Sequence, residues 1–134
     1  MISGSASVEG TQKFVKNSGV NEGNFKKFEN LYLSNVGIGT YLGDPDAQTD
    51  QLVTDAVKKS ILLGINVVDT AINYRSQKAE RSVGKAISEL IDDGKITRDE
   101  IFISSKNGYV TNDADIQLGL WEYVKSELTD KGIV

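Results

Sequence analysis

Gly64-Ile65-Asn66-Val67-Val68-Asp69-Thr70-Ala71-Ile72-Asn73-Tyr74 starts at a glycine placed to end a helix, continues as a short β-branched run and passes into a polar segment. Ile65 to Asp69 reads as a buried strand, because the run is continuous and is bounded on both sides. Upstream, after Gly43-Asp44-Pro45-Asp46, the period is helical: Leu52, Val53, Ala56, Val57 and Ile61 form one stripe, which predicts a helix over about 47–63. Downstream, Val83, Ala86, Ile87, Leu90 and Ile91 recur at i, i+3, i+4, i+7 and i+8 and stop near Gly94, predicting a second helix. Ile101 to Ser105 follows as another short apolar strand.

Further out the signals weaken. Phe25 to Phe28 and Leu31 to Leu33, separated by Glu29-Asn30, suggest a small hairpin, and a third apolar run, Val36 to Tyr41, follows. Residues 1–24 are rich in Ser, Gly, Asn and Glu and poor in apolar residues, so they are expected to form a flexible N-terminal arm. Beyond Lys106 comes a polar loop, then a fainter helical pattern in which Trp121, Val124 and Leu128 share a face. Strands alternating with helices predict an α/β fold with parallel strands joined by right-handed crossovers. Two architectures compete: an open doubly wound sheet, and part of a (β/α) barrel, which needs eight such units and roughly 250 residues. The length of 134 residues favours the open sheet, while the motifs favour the barrel.

Composition narrows the function. A formal net charge of -4 with scattered lysines argues against nucleic acid as a partner. With no Cys and no His, the usual ligands for zinc and transition metals are missing, no disulfide framework is possible, and no metal site is expected. The longest apolar run, Ile61 to Val68, is broken by Gly64 and Asn66 and falls short of the roughly 18 residues of a membrane span. Met1 to Gly10 lacks the basic start and apolar core of a secretory signal, so a cytoplasmic location is the default expectation.

Among the motifs, Gly37-Ile38-Gly39-Thr40-Tyr41-Leu42-Gly43 invites a dinucleotide-loop reading and fails on spacing. The third glycine of Gly-x-Gly-x-x-Gly would fall on Leu42, and Asp44-Pro45-Asp46 intervenes before the helix. Asp69 is a more informative residue, since a carboxylate at the end of a buried strand is costly unless paired. Taken as an isolated pair, Asp69 would bond loop amides or cap the next helix and Tyr74 would simply pack. Lys106 changes that balance, because it ends the following strand, and adjacent parallel strands bring their C-terminal ends to one mouth. A lysine paired with Asp69 and held cationic near Tyr74 favours the phenolate, lowering a reference pKa of about 10 and making Tyr74 a usable general acid.

These residues resemble the aldo/keto reductase family from about Phe25 to Tyr109. The motifs occur in the family's order: the hairpin, a first strand ending in Gly39-Thr40-Tyr41, then Asp69-Thr70-Ala71 with Tyr74, then Glu80-Arg81-Ser82-Val83-Gly84, then Ile101-Phe102-Ile103-Ser104-Ser105-Lys106. The resemblance implies a (β/α)8 TIM barrel of which 25–134 would be the N-terminal part, about three βα units after a short β-hairpin. It implies NADPH-dependent reduction of an aldehyde or ketone to an alcohol. Tyr74 would be the acid, Lys106 its electrostatic partner, and Asp69 the residue holding Lys106 near the nicotinamide ribose. Gly39, Thr40 and Tyr41 would line the nicotinamide end of the cofactor.

The pattern also breaks. The family's fourth catalytic residue is a histidine on the next strand, and this chain has no His. The later strands, which hold the cofactor's phosphates and adenine, are not represented. The expectation is therefore an incomplete portion of such an enzyme, inactive alone, with self-association through the open barrel face. The alternative is a non-catalytic scaffold or regulatory half-barrel that keeps the reductase fold and binds a protein partner.

Overall fold

A computed structural model describes residues 2–134, and its first element is a helix, α1 (Val8–Asn17), where a flexible arm was expected. Ser7 caps α1 by accepting from the Gly10 amide at 2.9 Å. Phe14 is buried and meets Phe25 edge to face, with ring centroids 6.2 Å apart. Gly10 lies so close to a turn at Arg98–Glu100 that a Cβ there would sit 2.3 Å from the Asp99 carbonyl oxygen. Lys13 reaches the buried Glu100 carboxylate at 2.9 Å. One anchoring aromatic, one bare glycine and one ion pair dock this segment, and its low apolar content conceals all three.

The hairpin forms as expected, β1 (Phe25–Phe28) pairing antiparallel with β2 (Leu31–Ser34). After it come β3 (Ile38–Gly39), α2 (Ala47–Leu62), β4 (Val67–Asp69), α3 (Lys78–Asp92) and β5 (Phe102–Ser104). The three single strands make one parallel sheet in the order β3-β4-β5, with Gly39 opposite Asp69 and Asp69 opposite Ser104. An α/β layer with parallel strands is thus present. Gly64, at φ +95°, ends α2 and turns the chain into β4.

Both long helices cover one face of the sheet. Val68 is fully buried against Val57 and Ile61 of α2 and Val83, Ile87 and Leu90 of α3, and Ile101 completes this core. The buried stripe of α2 is rotated from the expected one: Leu52 and Ala56 are exposed, while Thr54 is buried. Thr54 can take a core position because its hydroxyl donates to the Asp50 carbonyl one turn back, at 2.7 Å.

Asn66 ties the hairpin to the sheet. Fully buried, it accepts from the Ser34 amide at 2.8 Å and donates to the Tyr32 carbonyl at 2.9 Å. The register places Gly39, Val67, Asp69, Phe102 and Ser104 on the sheet face turned away from Val68 and its helices.

The last helix, α4 (Leu120–Tyr123), widens into a π-helical segment, Val124–Thr129. Its bonds there run i to i+5, as from the Asp130 amide to the Lys125 carbonyl. Widening breaks the expected shared face: Val124 and Leu128 are half-buried, but Trp121 is exposed. Among the described residues, no helix is long and apolar enough to cross a membrane.

Candidate active site

Parallel strands set out the site by their C-terminal ends. Asp69 is the last residue of β4, Lys106 follows β5 by two residues, and the turn after β4 brings Tyr74 back over them. The turn is short because the Tyr74 amide bonds the Ala71 carbonyl at 3.1 Å, and the Ile72 amide bonds the Lys106 carbonyl at 3.1 Å. Lys106 Nζ donates to Asp69 Oδ1 at 2.7 Å, Asp69 Oδ2 at 2.8 Å, the Thr70 carbonyl at 3.0 Å and the Tyr74 hydroxyl at 3.2 Å. The three catalytic candidates meet around one ammonium group.

The pair is open to water, with the Lys106 and Asp69 side chains 46% and 44% exposed, so its attraction is screened. Even so, the hydrogen bond to Asp69 and a smaller one to Tyr74 raise the Lys106 amine above its ordinary value against a partial desolvation. The ammonium stays charged at neutral pH.

The cofactor candidates border this cluster. Thr40 is buried and donates both its amide, at 3.1 Å, and its hydroxyl, at 3.0 Å, to the Asp69 carbonyl, which fixes the backbone under the carboxylate. Tyr41 packs its ring edge-on against Tyr74, with centroids 5.0 Å apart. Gly39 faces open space where a side chain would meet nothing within 4 Å.

Residues that sequence reasoning passed over surround the tyrosine. Arg75, Ser76 and Gln77 all have left-handed backbone, at φ 50°, 51° and 74°, without a glycine among them. Each non-glycine in that region costs roughly 1–2 kcal/mol, so partners must hold the turn. The Arg75 side chain, 1% exposed, donates to Asp50 Oδ1 and to Ser82 Oγ, both at 2.9 Å. Arg81 forks onto Asp113 at 2.6 and 2.8 Å and holds that carboxyl at about 2, and it also contacts Asp115. Nothing in the sequence marks these contacts, whose partners lie 7 to 34 residues apart. Among the described residues, no group of three or more His, Cys, Asp or Glu is placed to hold a metal ion.

The fold and the site together define an α/β protein that carries a Tyr-Lys-Asp cluster at the C-terminal ends of parallel strands. A family model, the aldo/keto reductase family, matches residues 35–128. The chain belongs to that family, whose members in general reduce carbonyl compounds. It is 29% identical to aldose reductase C of Dictyostelium discoideum over 69% of this chain and 27% of that protein. It is 34% identical to aldo-keto reductase family 4 member C11 of Arabidopsis thaliana over 55% of this chain and 21% of that one. A crystal structure of a Bombyx mori aldo-keto reductase in complex with NADP matches with a TM-score of 0.46 at 26% identity, over 62% of this chain and 27% of that chain. The chain therefore spans only 27% and 21% of the length of these two relatives.

Proposed function

We propose that this chain is the N-terminal part of a (β/α)8 barrel and supplies the proton-donating half of an NADPH-dependent carbonyl reductase. The observation that carries the reading is Lys106 Nζ within hydrogen-bond reach of both Asp69 oxygens and of the Tyr74 hydroxyl. When bound, the nicotinamide supplies a hydride to the carbonyl carbon. Tyr74 gives its hydroxyl proton to the carbonyl oxygen as negative charge develops there. Lys106 stabilises the oxygen that Tyr74 leaves negative, and Asp69 keeps Lys106 charged and in place.

The residues present fit the nicotinamide end of such a cofactor. The bare Gly39 leaves room on the open sheet face, and the Asp69 carboxylate can accept from a ribose hydroxyl. The phosphate end is different: Lys106 is engaged by Asp69, while Arg75, Lys78 and Arg81 are engaged by Asp50, Asp113 and Asp115. By this reading the phosphates are held by later barrel units, the chain alone does not turn over, and its open face favours self-association.

The test is to graft residues 35–128 into aldose reductase C in place of its matching segment and follow NADPH oxidation with a panel of aldehydes and ketones. The graft should reduce a carbonyl, and Tyr74→Phe or Lys106→Met should each cut the rate by about 10²–10⁴. The reading fails if the graft is active and Tyr74→Phe leaves its rate intact.

A further inference from the structure

We propose that the loop leaving Lys106 is a positioning element for Tyr74: its residues 111–116 clamp the left-handed turn Arg75-Ser76-Gln77, and the Arg81–Asp113 pair is the clasp. Tyr74 is joined directly to that turn, so whatever holds the turn sets where the hydroxyl lies. The Ala114 amide donates to the Ser76 carbonyl at 3.1 Å, which is a main-chain bond between the clamp and the centre of the turn. Gln77 donates to the Tyr123 hydroxyl at 3.1 Å, tying the turn's last residue to α4.

The clamp is in turn held by α3. Arg81 presents both terminal nitrogens to the two oxygens of Asp113, the two-point geometry that fixes direction as well as distance. Lys78 reaches Asp115 at 2.9 Å, and Asp113 accepts from the Asp115 amide at 2.9 Å, closing the loop on itself. One segment thus begins at the lysine that contacts the Tyr74 hydroxyl and ends on the turn that carries Tyr74.

The simpler account is that these acids only neutralise α3, whose first turn holds Lys78 and Arg81 at the positive end of the helix and which has no side-chain cap. That account leaves the Ala114–Ser76 bond without a consequence. It also predicts that breaking the clasp moves nothing at the Tyr74 hydroxyl.

The proposal rests on reading Tyr74 and Lys106 as the working pair for its functional meaning. Its test reads their separation and not turnover, so either idea can fail while the other stands. Nuclear Overhauser contacts between the Tyr74 ring protons and the Lys106 side-chain methylenes would be measured in the 134-residue chain. Contacts among Val68, Ile87 and Leu90 serve as the internal record of folding. Asp113→Asn and Arg81→Asp are each expected to lose the Tyr74–Lys106 contacts while the core contacts stay. The double exchange Arg81→Asp with Asp113→Arg is expected to restore them. Unchanged Tyr74–Lys106 contacts in Asp113→Asn would overturn the proposal. So would loss of the core contacts in both single variants, or a double exchange that refolds the core without restoring the pair.

Discussion

Lys106 has three protons to donate and four oxygens within reach, two of them on one carboxylate, so its position is set chiefly by Asp69. That division predicts the effect of removing the charge. Asp69→Asn keeps the shape of the carboxylate and deletes the largest cause of the raised Lys106 amine, which should titrate close to the ordinary value of 10.5. Nitrogen-detected resonance of the lysine side chain would show it, and an unaltered midpoint would mean that Tyr74 and the Thr70 carbonyl suffice to hold the ammonium. At this scale the sequence was readable wherever chemistry follows strand order. Asp69 ends β4 opposite Ser104 of the neighbouring parallel strand, and Lys106 lies two residues beyond that partner at the same mouth. Arg75 was not readable, because its worth depends on three left-handed residues that no glycine announces, on Asp50 25 residues back and on Ser82 in the next helix.

Elements depend on a few buried polar joints as much as on apolar stripes. Asn66, itself fully buried, is the joint between the hairpin and the sheet, satisfying the Ser34 amide and the Tyr32 carbonyl on the half-buried β2. Asn66→Ala takes this partner from both groups, at a cost below the roughly 1–3 kcal/mol of a fully buried unsatisfied group, because β2 is half-buried. Thermal unfolding should therefore begin at lower temperature, and amide exchange should rise first in β2. Equal protection in β2 and β4 would mean that the hairpin is held by Phe25 and Phe14 instead. The helices α2 and α3 were visible in advance because their burial follows the 3.6-residue period, and α3 buries Val83, Ala86, Ile87 and Leu90 as that period requires. The face of α2 was misjudged by a polar residue, since Thr54 satisfies its hydroxyl locally and then counts as core. The first helix escaped notice for a related reason. Beyond its own Ser7 cap, it is held by Phe25 and by Asp99 and Glu100, the last two far along the chain.

Over the whole molecule, charge is arranged so that stability depends on pH at the extremes and not between them. Asp46, Asp99, Asp113 and Asp115 are all held below the ordinary 3.8 of an aspartate. The causes are hydrogen bonds from Thr49, Thr97, Arg81 and Lys78 respectively. A depressed carboxyl contributes stability that is complete above its unfolded value and disappears as pH falls through its folded value, which for Asp113 is about 2. Lys13, Lys58, Lys78 and Lys106 are raised above 10.5, so their contribution is complete below that value and is lost as pH climbs past it. With no histidine in the chain, no imidazole titrates between these limits. The thermal midpoint should stay level across neutral pH, falling only below about pH 4 and again above about pH 10. Asp113→Asn should flatten the lower limb, by under about 1 kcal/mol because Arg81 is partly in water. A midpoint that instead slopes steadily through neutral pH would place the controlling titration outside these ion pairs. An acid limb unchanged in Asp113→Asn would show that the Arg81 clasp contributes nothing to global stability, leaving positioning as its only work.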